Sequence, residues 1–354
     1  MKIGMITDSL GALSFDQLLD TAAELGIERL EFAGGNWSQA PHLALDRMLD
    51  SAQARREFLA KLNDHGISIS ALNCSGNPLH PGDIGQRHRE VTRKTIALAG
   101  LMGVERVVMM SGCPGGPGDA NANWVTTSWP PETQTILRYQ WEDVLIPYWR
   151  ELVAYARGQG VSKLCLELHG HQNVYSVGTF FRLRDAVGET VGVNFDPSHL
   201  LWMGADPLAA IAALGLSIYH VHAKDTRLEP NALARDGRIE IRPSEDVAHR
   251  AWNYVTLGRG HDETWWRGFC QALSASGYDD VLSIEHEDLA LPPIDGVTKA
   301  VALFTPGDRG LEIERRPVCG AGRTVADLAG LRGKASRRAH RRASPDRLAR
   351  HCQC

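Results

Sequence analysis

The feature that most limits what this chain can fold into is a recurring unit: an amphipathic helical stretch, a glycine, then a short run rich in Val, Ile and Leu. It appears at Gly26-Ile-Glu-Arg-Leu-Glu-Phe, Gly66-Ile-Ser-Ile-Ser-Ala-Leu, Gly103-Val-Glu-Arg-Val-Val-Met, Gly160-Val-Ser-Lys-Leu-Cys-Leu, Gly215-Leu-Ser-Ile-Tyr-His-Val and Gly277-Tyr-Asp-Asp-Val-Leu-Ser. Glycine suits the left-handed residue that closes a helix, and the apolar run suits a buried strand. An opening strand over Lys2 to Thr7 and another over Val191 to Phe195 bring the strand candidates to eight. Ser14 and Gln17 form a capping-box signal ahead of Leu18, Leu19 and Ala22. Strands alternating with helices pair in parallel through right-handed crossovers, and this number predicts an α/β fold closed as a (β/α)8 TIM barrel. An open doubly wound sheet is the alternative. No Gly-x-Gly-x-x-Gly follows the first strand, where a dinucleotide-binding sheet would need it.

Two intervals are stretched, Gly112 to Thr135 and Ala223 to Gly260, and both follow strands, on the face where barrels carry catalytic loops. After Phe304 the periodicity stops. The expected division is a barrel over 1–304 and an Arg-rich, disordered tail over 305–354. The formal charge of −4 conceals this asymmetry: Arg315 to Cys354 holds 11 Lys/Arg against 2 Asp/Glu, so the body is near −13 and the last forty residues near +9. An acidic body is wrong for a nucleic-acid backbone. The seven cysteines make no Cys-x-x-Cys spacing and no disulfide-like framework, a usage that fits a reducing setting. The N-terminus lacks a signal peptide's apolar core, and no run approaches the ~18 apolar residues of a membrane span. A cytoplasmic protein without a membrane partner is expected.

If the barrel is right, strand ends carry the chemistry. Strand five ends Leu164-Cys-Leu-Glu-Leu-His-Gly, strand six Asn194-Phe-Asp-Pro-Ser-His, strand seven His220-Val-His-Ala-Lys-Asp and strand eight Ser283-Ile-Glu-His-Glu-Asp. Four successive strands thus bring Glu167, Asp196, His222 and Glu285 to one rim. Singly, each carboxylate could be a helix N-cap or a solvated loop group. Together they make an oxygen-dominated cage for a divalent ion such as Mn²⁺, Mg²⁺ or Co²⁺, because three buried like charges repel without a cation between them.

These segments, with Asn194-Phe-Asp-Pro-Ser-His-Leu, Leu257-Gly-Arg-Gly and Ser283-Ile-Glu-His-Glu as the most specific pieces, resemble the sugar phosphate isomerase/epimerase superfamily of xylose-isomerase-like barrels. The resemblance covers roughly residues 1–304. It implies that Glu167, Asp196, His222 and Glu285 ligate one divalent ion, with His199 beside the substrate and Lys224 or Arg227 supplying a basic group to it. It implies a small carbohydrate substrate and homo-oligomerisation.

Moving a proton next to a carbonyl needs a Lewis acid at the carbonyl and bases facing the carbon. Glu167 and Glu285 are the candidate bases, and His199 would hydrogen-bond a substrate oxygen as charge builds. His169, two beyond Glu167, points to the same side and is a candidate substrate contact. His220 reads as a packed, hydrogen-bonded core histidine. Asn77 and His80 are rim candidates or turn residues, Trp124, Trp129 and Trp202 either stack on a sugar or pack a loop, and Gly258-Arg-Gly260 offers weak evidence for an anion contact. The reading is a metal-dependent sugar isomerase or epimerase. Its alternatives are a metal-dependent lyase or dehydratase on a keto-sugar, keto-inositol or keto-glycoside, then an abasic-site endonuclease or a non-catalytic sugar-binding barrel. The nuclease would need further zinc-binding histidines, and strand four ends Met109-Met-Ser-Gly-Cys without one.

Overall fold

The computed structural model describes residues 1–305. Ten strands occur there: β1 (Lys2–Ile6), β2 (Arg29–Ala33), β3 (Ser68–Asn73), β4 (Arg106–Met109), β5 (Lys163–Glu167), β6 (Val191–Phe195), β7 (Ile218–Ala223), β8 (Asp225–Leu228), β9 (Trp252–Val255) and β10 (Val281–Ile284). Eight of them close a barrel in the order β1-β10-β7-β6-β5-β4-β3-β2. Every pairing around it is parallel. The eight are those expected, six from the repeating unit together with the opening strand and Val191–Phe195, so the closed barrel stands and the open sheet does not.

Local chemistry explains the punctuation. The glycines closing the helices ahead of β2, β3, β4, β5 and β10 take φ between 69° and 94°. At Gly103 the left-handed turn returns its N–H to the carbonyls of Ala99 and Gly100, satisfying acceptors that the helix end would otherwise leave open. The capping box at Ser14 and Gln17 forms as expected.

Strand alternation divides the core. Leu164 and Leu166 of β5 join the large apolar layer between strands and helices, whereas Cys165 packs with Ala71 and Val108 in a separate small cluster. Beside these small residues stand Glu31, Asn194, His220 and Ser283, all with no solvent exposure. A buried polar set of this kind must be hydrogen-bonded among itself.

The stretched segment after β7 is structured: β8 and β9 pair antiparallel around a helix over Pro230–Asp236. The segment after β4 runs into a helix over Glu132–Arg138 that continues as a π-helical turn over Tyr139–Leu145. The last described helix, Pro293–Phe304, ends where the sequence periodicity stops. The tail expected from 305 onward lies, from 306, outside the described residues. No helix among the described residues is long and apolar enough to cross a membrane.

Candidate metal centre

Glu167 ends β5, Asp196 follows β6, His222 lies near the end of β7 and Glu285 follows β10. Parallel pairing aligns these ends. The structure brings one donor atom from each of the four within 4.8 Å of the others. His222 Nδ1 lies 3.1 Å from Glu167 Oε2 and 3.0 Å from Glu285 Oε2. Lys224 Nζ reaches Asp196 Oδ2 at 3.2 Å and Glu285 Oε2 at 2.9 Å.

Asp196 shows how one carboxylate serves two ends. Its Oδ1 accepts from Ser198 N at 2.8 Å and caps the helix Pro197–Met203. Its Oδ2 is left for the cluster. Asp196 Oδ2, His222 Nδ1 and Glu285 Oε2 are all buried, and none makes a directed hydrogen bond. Orphaned buried polar atoms are costly. Three such atoms converging with Glu167 form the donor set that a divalent cation satisfies, and the residues therefore fit a bound ion.

The charges respond to one another. Burial opposes ionisation of Glu167, but His199 and His222 hold its pKa well below the ordinary value. Asp196 is likewise lowered against burial, by Lys224 and His199. Burial would lower the pKa of His199, yet Asp196 and Glu167 raise it to about 9. Its Nε2 donates to Glu167 Oε1 at 3.0 Å, and its Nδ1 shares a hydrogen bond of 2.9 Å with the Tyr254 hydroxyl. His169 stacks beside it at 4.0 Å between ring centroids, and burial together with that neighbouring charge pushes His169 down to about 3. A neutral and a charged imidazole therefore lie side by side.

The other expected site residues separate. Lys224, only 3% exposed, is held by Asp196, Glu285 and Glu287 and lies 4.8 Å above the Tyr254 ring. Arg227 stands outside the cluster, paired with Glu229 at 2.7 Å, on the wall of a cleft of about 360 Å³ that it shares with Tyr254, Arg259 and Glu287. His220 is a buried core histidine whose Nδ1 bonds Asn194 Oδ1 at 2.9 Å. Asn77, in the loop after β3, takes the turn role: its amide clamps Cys113 through both N–H and C=O. Trp129 is exposed, while Trp202 stacks on Trp252. The Gly258-Arg-Gly260 turn is no free anion cradle, since Gly258 N and Gly260 N already donate to Asp225 Oδ2.

Residues not singled out from sequence are Glu31, Asn194, Tyr254 and Glu287. Glu31 is the clearest omission. A carboxylate inside a strand whose flanking Leu30 and Phe32 are core residues was the available signal.

Over residues 16–306 the chain matches the family described as the xylose isomerase-like TIM barrel. The chain belongs to that family. Within it, the uncharacterized protein YfiH of Bacillus subtilis (strain 168) is 51% identical over 304 residues, spanning 85% of this chain and 97% of that protein. Among solved structures, the probable 3-DHS dehydratase AsbF from Bacillus anthracis is similar with a TM-score of 0.60 and 19% identity, over 86% of this chain and 99% of that one. The IOLI protein, solved with a zinc atom bound, is similar with a TM-score of 0.57 and 19% identity, over 85% and 95% of the two chains. At these identities the structural likeness shows the fold alone. The family membership shows a xylose isomerase-like barrel.

Proposed function

We propose that the chain is a divalent-metal-dependent sugar isomerase or epimerase that transfers a proton at the carbon next to a carbonyl. The observation that carries this reading is the convergence of Glu167, Asp196, His222 and Glu285 with three donor atoms left without hydrogen bonds. When bound there, the ion supplies Lewis acidity to the substrate carbonyl. Three carboxylates with one imidazole favour Mn²⁺, with Mg²⁺ or Co²⁺ as the other hard ions; the zinc in the IOLI structure makes zinc the competitor to test.

The chain's own residues divide the remaining work. Glu285, the most accessible of the four at 17% side-chain exposure, takes the proton from the carbon, and Glu167, held ionised, serves as the second base. His199, positively charged at neutral pH, donates to the substrate oxygen on which charge builds. Lys224 and Tyr254 fix the rim, and the distal part of the carbohydrate lies in the cleft beside Arg227. His169 contacts the substrate from beside His199. The free, buried Cys74, Cys113, Cys165 and Cys270 suit a cytoplasmic setting.

One observation favours a second reading as a lyase. A charged His199 beside the bases suits protonation of a departing hydroxyl, and AsbF is named as a dehydratase. Incubating the Mn²⁺-loaded protein with keto-sugars and keto-cyclitols in D₂O separates the two. Deuterium at the α-carbon with an epimer or isomer product supports the proposal, and loss of a substituent supports the lyase. No exchange with any substrate and any of the four ions defeats both.

A further inference from the structure

Glu31 lies on the far side of the barrel from His222, 191 positions earlier in the chain, yet their side chains meet in the lumen. It has no solvent exposure. His222 Nε2 approaches Glu31 Oε2 at 2.9 Å and Oε1 at 3.1 Å. A carboxylate only accepts, so this contact requires the proton on Nε2 and leaves Nδ1 as the nitrogen turned toward Glu167 and Glu285. Resting on the metal-site reading above, we propose that Glu31 is a positioning residue that fixes the tautomer and ring plane of His222 so that Nδ1 faces the ion.

Glu31, His220 and His222 are also close enough to suggest a second cation site. The hydrogen bonds argue against it. Glu31 Oε1 accepts from Asn73 Nδ2 at 2.8 Å and Oε2 accepts from Ser283 Oγ at 3.0 Å. With His222 shared between them, both oxygens already have donors. In the proposed centre Asp196, His222 and Glu285 each present an atom without such a partner. That difference sets Glu31, which orients a ligand, apart from Asp196 and Glu285, which each keep an oxygen for the ion. A parallel arrangement serves Glu167, whose Oε2 accepts from Asn194 Nδ2 at 3.0 Å while Asn194 Oδ1 bonds His220.

The test is Zn²⁺ affinity and stoichiometry of the full chain, by competition with a chromophoric chelator, together with ¹⁵N chemical shifts of the zinc-loaded His222 ring. The wild type should bind one ion per chain with His222 protonated on Nε2. Glu31→Gln should retain that stoichiometry, bind about 10- to 100-fold more weakly, and shift the His222 nitrogens. Should Glu31→Gln not fold, Ser283→Ala removes one donor to Glu31 and leaves its carboxylate in place; a few-fold weaker affinity with a moved His222 signal is then expected. Unchanged affinity and unchanged ring shifts in the folded variants overturn the proposal. So does a second ion in the wild type that Glu31→Gln abolishes, which would make Glu31 a ligand. Asp196→Asn distinguishes the two levels: if it leaves zinc affinity intact, the metal centre itself is wrong.

Discussion

The strands β5, β6, β7 and β10 and the strands β1 to β4 end at the same rim, but their buried polar residues are used differently. In the first group Asp196 Oδ2, His222 Nδ1 and Glu285 Oε2 converge without directed hydrogen bonds. In the second, the asparagines at and after the end of β3 are taken up by nearby backbone, Asn73 Oδ1 accepting from Ser75 N at 2.7 Å and Asn77 Oδ1 from Cys113 N and Leu79 N while its Nδ2 donates to Cys113 O. The orphaned atoms after β1 and β2, Thr7 Oγ1, Asp8 Oδ2 and Asn36 Oδ1, do not gather into a donor set. The same position after a strand can therefore hold a loop or present a ligand. What separates the two is convergence: among the described residues, only at the ends of β5, β6, β7 and β10 do several such atoms meet within ligand distance of one another. Glu31 is the exception in the first half of the chain, reaching across the lumen to serve the second.

The comparison is broken most directly at Glu285. Glu285→Gln removes the proposed base and weakens a proposed ligand, so turnover should fall by about 10²- to 10⁴-fold. Because it also takes an ion-pair partner from His222 and Lys224, the melting temperature of the metal-free protein should fall. Wild-type turnover in this variant would return Glu285 to the class of loop-holding residues.

The two halves should also differ in how they respond to pH, since the charged cluster belongs to β5–β7 and β10 with Glu31 behind it. Burial opposes the charge on Glu31, but His222 and His220 lower its pKa to about 2, and Glu167 and Asp196 are lowered too. Depressed carboxylates contribute stability that is present above their unfolded values of about 4 and is lost as pH falls through the lowered ones. For His199 and His222 the sign reverses. Their raised values mean a contribution fully present below about 6.5 and lost as pH rises, for His199 through about 9. The metal-free protein should be most stable between roughly pH 4.5 and 6.5 and decline toward pH 9. A divalent ion takes the place of a proton on His222, so the stabilisation by Mn²⁺ should grow across the same interval. Melting curves with chelator and with Mn²⁺ from pH 5 to 9 check both; a flat metal-free profile would detach the histidines from the cluster.

The sequence made some of this legible because the signals are local. Each helix-glycine-strand unit carries its own boundary, so six barrel strands could be read without knowing their partners, and the apolar runs at Lys2 to Thr7 and Val191 to Phe195 supplied the other two. The cluster was readable once strand ends were compared, since Glu167, Asp196, His222 and Glu285 lie at or just past the ends of four strands in barrel order. Asp196 combines both readings weighed for it, helix cap and cluster donor, because its two oxygens point different ways. Glu31 was hidden because its partners, His222 and Ser283, lie 191 and 252 positions away. Tyr254 and Glu287 were hidden for another reason. Tyr254 comes from β9, whose antiparallel pairing with β8 encloses a helix and leaves no periodic trace, and Glu287 lies in the loop after β10. The Gly258-Arg-Gly260 turn looked like an anion contact because a glycine pair frees N–H groups; Asp225, over thirty positions earlier, already takes them.

Asn77 tests the other side of the comparison. It is 4% exposed, and its side chain makes two hydrogen bonds that tie the loop after β3 to Cys113 in the loop after β4 and one to Leu79 N within its own loop. Asn77→Ala would leave the N–H groups of Leu79 and Cys113 and the Cys113 carbonyl without that partner, and such losses typically cost about 3 kcal/mol in sum after partial rehydration. None of those groups touches Glu167, Asp196, His222 or Glu285. Denaturant unfolding should therefore show the lost stability while Mn²⁺ affinity, measured on the folded variant, stays at the wild-type value. A fall in both would mean that the loops after β3 and β4 set the geometry of the metal centre, and that holding a loop and presenting a ligand are not separate tasks in this barrel.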